Sequence, residues 1–403
     1  MTERLYYDQP YLTAFDAVVT ACRPAEKGYD IALDRSAFYP TSGGQPYDTG
    51  ILKADDLSLI VSDVTVENDT VWHRTNAPLD IGTPVSGAVD WARRWDHMQQ
   101  HGGEHLLAGC IWHLFRGVTR GLHISEETST IDVKMPDEQT RLSIEQTREL
   151  EMLVNRRIQQ DAPIRCWFPS DEELQKLPLR KPSSVQEHVR VVAAGDFEMV
   201  PCGGTHPSST GQIGLLKVLS TAPARGYMRV TFLAGERALQ YMLSCHETVS
   251  EAGRLLSASC DTLVEAVRRM LNENADLKNN LKALQKEKNR ATAERLLGDA
   301  RPFALGHYIA ADIGPSDLHA LKEMALSLAQ QQSMVVLLSA QDEKGILLAF
   351  ARSGDLSLDM GKLLRGAGAQ GGGRPDFAQG KASDSTVLQK AQAYLDTVPK
   401  KEA

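Results

Sequence analysis

An α+β fold built in modules is the class this sequence predicts: a β-rich amino-terminal module, an α+β domain carrying a metal site, a long coiled-coil-like helical connector and a glycine-rich α/β domain at the end. Three observations predict it. Short apolar stretches alternate with turn signals up to residue 90; apolar residues recur at helical spacing from Trp91 to Phe115; and a proline-free stretch from 238 to 297 gives way to alternating helix and strand signals. A chain of 403 residues exceeds the roughly 100–200 of one domain, so division is expected, with boundaries at 1–90, 91–237, 238–297 and 298–403.

In the first segment, Ser42-Gly43-Gly44 and Asp80-Ile81-Gly82 are turn signals, and Val61, Val64 and Val66 face Val71 and His73 as paired strands. In the second, Leu106, Leu107, Ile111, Leu114 and Phe115 repeat at helical spacing. A strand at Thr130–Val133 follows, then a charged helix over about Ser143–Gln160. Strand-like Val189–Val192 and Met228–Phe232 bracket a glycine-rich turn at Cys202.

The third segment is rich in Leu, Ala, Glu, Lys and Asn. Val267, Met270, Asn274, Leu277, Leu281 and Leu284 fall at alternating three- and four-residue steps, the pattern of a coiled coil or helical hairpin, with Asn274 fixing register. A long helix packed on its own domain fits the pattern as well. The last segment predicts a helix over 316–331 and strands at Met334–Ser339 and Gly345–Ala351. Its loop at 366–374 is dense in glycine, which would let backbone amides approach a phosphate or an RNA end, or would make a flexible surface loop.

A hydrophobic content of 42% and a charged content of 24% are those of an ordinary globular protein, and no apolar run approaches the ~20 residues of a membrane span. The start, Met1-Thr-Glu-Arg-Leu-Tyr-Tyr, is not a signal peptide, so a cytoplasmic location with no membrane partner is expected. Six scattered cysteines read as reduced thiols. The net charge of −8 argues against a globally basic nucleic-acid binder but leaves room for a local patch, for which Arg93, Arg94 and Arg374 are candidates.

The chemistry is concentrated in two short stretches. His101 and His105 are one helical turn apart, so a single ion can reach both, and Cys202-Gly-Gly-Thr-His206 supplies a second pair at the same spacing. Imidazole and thiolate together favour zinc, one ion per chain. A structural site and a hydrolytic one use such ligands alike. Glu104 lies between the histidines, but this is not His-Glu-x-x-His, and helical geometry turns position 104 some 60–100° away from its neighbours.

The residues around these ligands resemble a known family. Arg94-Trp-Asp-His97-Met-Gln-Gln-His101-Gly-Gly-Glu-His105-Leu-Leu and Pro201-Cys202-Gly-Gly-Thr-His206 are similar to the zinc signatures of the alanyl-tRNA editing proteins of the AlaX type, relatives of the editing domain of alanyl-tRNA synthetase. Phe38-Tyr-Pro-Thr-Ser-Gly43-Gly44-Gln45-Pro46 resembles their amino-terminal glycine loop, and Gly371-Gly-Gly-Arg374-Pro-Asp-Phe-Ala-Gln-Gly380 the carboxy-terminal domain of the long form. The resemblance implies a trans-editing hydrolase that removes serine, or glycine, wrongly attached to tRNA(Ala), with zinc on His101, His105, Cys202 and His206. It further implies Gln45 and His123 as catalytic pocket residues, Gly43, Gly44, Gly102 and Thr205 around the substrate, His97 in support, and Asp132 as a structural strand residue. A homodimer through the connector or the carboxy-terminal domain is also implied. Because only some ten residues precede the editing module, no aminoacylation core and no ATP are expected.

One departure bears on specificity. The family commonly carries threonine or serine after the first zinc histidine, where this chain has Gly102, so recognition of a serine hydroxyl there loses a hydrogen bond worth about 1 kcal/mol, or admits glycine. Two other classes are open to the same residues. One is a zinc hydrolase acting on a small-molecule ester or amide; the other is a non-catalytic tRNA-binding protein with structural zinc.

Overall fold

The structure, a computed structural model, describes residues 1–183, 188–342 and 345–399. The chain divides into two compact units, Met1–Ala252 and Gly253–Ala403. None of the described helices is long and apolar enough to cross a membrane.

The β-rich beginning of the first unit is a closed barrel. Strands β1 (Ala14–Pro24), β2 (Tyr29–Leu33), β3 (Gly50–Ala54), β4 (Leu57–Glu67), β5 (Thr70–Thr75) and β6 (Pro84–Val89) are antiparallel in the order β1-β2-β5-β4-β3-β6, with β6 returning to β1. Alternation does the sorting: along β5 every second residue, Val71, His73 and Thr75, points into the barrel. Val64 pairs with His73 and Val66 with Val71, across a tight turn at Asn68 (φ 47°) and Asp69 (φ 59°), two residue types that tolerate positive φ. Ile31, Leu33, Phe38, Leu52, Leu59 and Val61 fill the interior.

Helix α1 (Trp91–Phe115) leaves the barrel. Asp90 caps it by accepting the Arg93 amide at 3.3 Å, and Arg116 ends it in the left-handed region at φ 57°. Behind it runs an antiparallel sheet in the order β12-β13-β8-β7, made of β7 (Val118–Ile124), β8 (Ser129–Lys134), β12 (Leu216–Ala224) and β13 (Tyr227–Ala234). Helix α2 (Ile144–Gln159) starts at a capping box of Ser143 and Gln146. One core joins α1 (Leu106, Leu107, Ile111), α2 (Leu150, Val154, Ile158) and the sheet (Ile131, Val218, Val230, Phe232). A small sheet of β9 (Ile164–Trp167), β10 (Val191–Ala194) and β11 (Glu198–Pro201) delivers the chain to Cys202.

Two helices follow, α3 (Gly235–Leu256) and α4 (Leu263–Gly298). On α4, the heptad residues Met270, Leu277, Leu281 and Leu284 are exposed, as is Asn274.

In the second unit, β14 (Arg301–Phe303), β15 (Gly306–Pro315), β16 (Met334–Asp342), β17 (Gly345–Arg352), β18 (Gln370–Arg374) and β19 (Phe377–Ala382) form one sheet in the order β14-β15-β16-β17-β19-β18. Only β15 and β16 are parallel, connected through α5 (Leu318–Leu328). Both faces are covered: Val335 and Leu337 meet α6 (Met360–Gly366) and α7 (Val387–Asp396), whereas Val336 and Leu338 meet α5, so β16 reads as an unbroken apolar run.

The glycine-rich stretch corrects the sequence reading. It is a loop only over 367–369, and Gln370–Arg374 is an edge strand paired with β19. A Cβ on Gly371 would lie 2.3 Å from Gln379 O and one on Gly373 2.1 Å from Phe377 O, so the glycines serve close strand approach.

Candidate metal centre

Helix α1 is fastened to the barrel before it reaches the ligands. Arg94 and Asp48 are both wholly buried and paired, and the Arg94 guanidinium also donates to Pro10 O (2.7 Å) and Ala37 O (2.6 Å). The sequence groups Arg94 with Arg93 and Arg374 as an RNA contact; the structure removes it from that group, because its donors are spent inside the protein. One turn later, Gln100 Nε2 donates to Ala234 O at 2.7 Å and Gln99 Nε2 to Gln212 O at 3.1 Å, which fixes the helix rotation against β13 and the 210–213 turn.

His101 and His105 then face the loop Cys202–His206. Arg190 shapes that loop, its Nη1 donating to Cys202 O at 3.1 Å and Gly204 O at 2.8 Å. Gly204 passes so near α1 that a Cβ on it would lie 2.1 Å from His101 Cε1. Cys202 Sγ is 3.3 Å from His101 Nε2 and 3.4 Å from His206 Nε2, and donor atoms of His101, His105, Cys202 and His206 all fall within 4.8 Å of one another. A tetrahedral zinc ion with bonds of about 2.0–2.3 Å requires donors roughly 3.3–3.8 Å apart; the two Cys202 contacts match that, and the remaining donors are near enough that the four could hold one ion.

The electrostatics agree with that fit. Burial pushes His101 down to about 3, helped by Arg190 and Lys181, and holds His105 and His206 well below the usual histidine value. Three neutral imidazoles therefore converge with their lone pairs available. Burial also pushes the Cys202 thiol up to about 12. A divalent charge is what such a thiol needs to lose its proton. His206 Nδ1 is buried without a partner.

Gln45 orients the first ligand. Its Oε1 lies 2.8 Å from His101 Nδ1 and accepts the Thr205 amide at 3.1 Å, while its Nε2 donates to Thr205 Oγ1 at 2.8 Å. Gln45 and Thr205 are fully buried, so both act through His101 and the loop instead of lining open space.

The open space is a cavity of about 810 Å³, bordered by the cluster through His101, His105 and Cys202 and otherwise by residues that include Tyr39, Gly43, Glu104, Arg120 and Lys181. Gly43 is on that wall. Gly44 lies behind it, where a Cβ would meet Leu122 O at 2.0 Å. Gly102 points elsewhere, since a Cβ there would meet Ile213 and Pro207 at 3.1–3.2 Å. His123 is exposed on β7, and the wall stops at Leu122. His97 is buried with Nδ1 unpartnered, and Asp132 pairs with Arg229 at 2.7 Å. Arg93 donates to Tyr47 O at 3.0 Å; Arg374 is exposed in the second unit.

Glu104, set roughly 60–100° round the helix from its ligand neighbours, shares the cavity with them. It is only 7% exposed, lines the cavity, and places Oε2 3.9 Å from His105 Nε2, with burial holding its carboxyl above the usual range. Nearby, Arg180 clamps Glu198 at 2.7 and 2.9 Å, and burial pushes Glu198 up to about 7.

Comparison with known proteins adds a consistent set of likenesses. The family described as "tRNA synthetases class II (A)" matches residues 10–93, the "Threonyl and Alanyl tRNA synthetase second additional domain" matches 189–231, and the "DHHA1 domain" matches 306–401. An alanyl-tRNA editing protein, AlaX-L, of Pyrococcus horikoshii is 29% identical over 98% of this chain and 100% of its own length. An alanine–tRNA ligase of Pyrococcus abyssi is 30% identical over 99% of this chain and 43% of its own length, and one of Archaeoglobus fulgidus is 31% identical over 94% and 42%. The chain thus spans less than half of these ligases. Gln45 falls in the first matched region and Cys202 and His206 in the second.

Proposed function

This chain belongs to the AlaX family of alanyl-tRNA editing proteins, and on that premise we propose that it is a zinc-dependent hydrolase that removes serine, or glycine, from mischarged tRNA(Ala). The observation that carries the reading is the joining of a four-donor cluster, His101, His105, Cys202 and His206, to a cavity wide enough for the end of an RNA chain and its amino acid.

When bound, zinc supplies Lewis acidity toward a water or an ester carbonyl. The protein's own residues do the positioning. Gln45 holds the His101 ring with Nε2 toward the cluster, and Thr205 holds Gln45. Arg190 fixes the backbone that carries Cys202. Arg120 and Lys181 bring positive charge to the cavity, where a phosphate backbone would lie. Because position 102 faces Ile213 and Pro207, where even a Cβ would be tightly packed at 3.1–3.2 Å, the missing hydroxyl removes no group from the cavity wall. Arg93 and Arg374 are the remaining candidates for RNA contact.

The test is hydrolysis of serine, glycine and alanine esters of tRNA(Ala), with and without a chelator. Rapid, chelator-sensitive loss of serine or glycine with alanine spared is the expected result. Inactivity on all three, together with turnover of a small ester lacking RNA, would overturn the reading.

A further inference from the structure

We propose that Glu104 is the anchor for the α-ammonium group of the aminoacyl moiety; the proposal rests on the reading of the substrate as an aminoacyl ester. The carboxylates on the cavity wall are those of Asp69 and Glu104. Asp69 is neutralised by Arg4 at 2.9 Å and its side chain is 66% exposed. Glu104 is almost fully buried, and no hydrogen bond reaches its carboxylate among the described residues. A carboxylate in a buried wall carries a desolvation penalty unless it gains a cationic or donor partner. Of the two cations whose charge reaches Glu104, Lys181 makes no ion pair with it among the described residues and Arg180 is clamped on Glu198 at 2.7 and 2.9 Å.

The wall also carries Arg120, Lys181 and Arg190, while its Arg4 and Arg180 are paired with Asp69 and Glu198, so positive charge is in excess there. That surplus suits phosphates and repels an ammonium, as would a divalent ion at the cluster. An aminoacyl ester carries both signs, phosphate on one side of the ester and ammonium on the other. Glu104, beside His105 at 3.9 Å, supplies the complementary charge at the end of the cavity where the ester must sit. This role differs from that of a base acting on water: an ammonium anchor discriminates substrates by charge at the α-carbon, whereas a base serves charged and neutral esters alike.

The experiment compares seryl-tRNA(Ala) with the same tRNA after nitrous acid deamination, which replaces the ammonium by an isosteric hydroxyl. In the wild-type protein, the ratio of kcat/KM for the amino ester over the hydroxy ester is measured, and again in Glu104→Gln and Glu104→Asp. The intrinsic reactivity difference between the esters is common to all three proteins and cancels. The ratio is expected to fall on the order of 10- to 100-fold in Glu104→Gln, mostly through KM, and to be partly restored in Glu104→Asp. Metal content near one ion per chain and an unchanged melting temperature show that the variants are folded and loaded. As a binding readout, the affinity for a 3′-amide-linked seryl adenosine should weaken in Glu104→Gln, while that for its hydroxy counterpart should not. An unchanged ratio, or equal loss on both esters, would overturn the proposal alone; a wild-type protein inert on every ester would overturn the parent reading with it.

Discussion

Gln45 Oε1 and His101 Nδ1 are 2.8 Å apart, and the contact fixes a proton. Because the Thr205 amide donates to the same oxygen, that oxygen only accepts, so Nδ1 of His101 carries the hydrogen and Nε2 is left bare toward Cys202. Replacing Gln45 by leucine should weaken zinc binding by roughly 10- to 100-fold, since partners behind a metal ligand act at that scale. Competition against a chromogenic chelator measures it, and Gln45→Glu, which keeps an acceptor, should lose less.

Gly204 tests the tightness of the loop. Gly204→Ala places a methyl group 2.1 Å from the His101 ring edge, against a loop held by Arg190, so the ring or the loop must shift. We expect zinc content to drop with all four ligands intact, as read by elemental analysis. An alanine variant with full metal would show that the loop yields freely.

The pair Arg94 and Asp48 should matter to stability more than to chemistry. Removing one member of a buried pair strands the other charge, at a cost of about 3–5 kcal/mol. Arg94→Met should therefore lower the urea midpoint sharply. A shift close to zero would show that the barrel and α1 hold without this bond.

Acid should destabilise the metal-free protein in a defined window. His101 and His97 are both pushed down to about 3 by burial, against 6.5 in an unfolded chain. The unfolded state binds more protons between those values, so stability is complete above about 6.5 and is lost as pH falls toward 3. At pH 5 the loss is about 2 kcal/mol per histidine. Melting temperatures of chelator-treated protein at pH 7 and pH 5 check the sign.

How far the sequence discloses this site depends on the distance over which each residue acts. The four donors are legible because two pairs of imidazole and thiol at four-residue spacing occur in one chain, although either pair alone says little. Gln45 is visible only through resemblance, since nothing local tells that a barrel loop will meet a helix 56 positions later. Arg94 reads as surface charge because its partner Asp48 lies on another element. Glu104 sits roughly 60–100° round the helix from its ligand neighbours, and because α1 is buried without a break from His97 to Ile111 that angle still brings it to the cavity wall. The strand at Gln370–Arg374 was hidden by glycines that usually mark loops and here permit close pairing.

The four donors come from two segments separated by roughly a hundred residues, and the residue that orients the first of them comes from a third. A chain emerging from the ribosome offers only a pair of imidazoles until Cys202 and His206 have been made. On the proposed reading, four-donor capture of an ion follows synthesis of that loop, and a product ending before it holds two of the four donors. The complete donor set thus exists only in molecules in which barrel, helix and loop have come together.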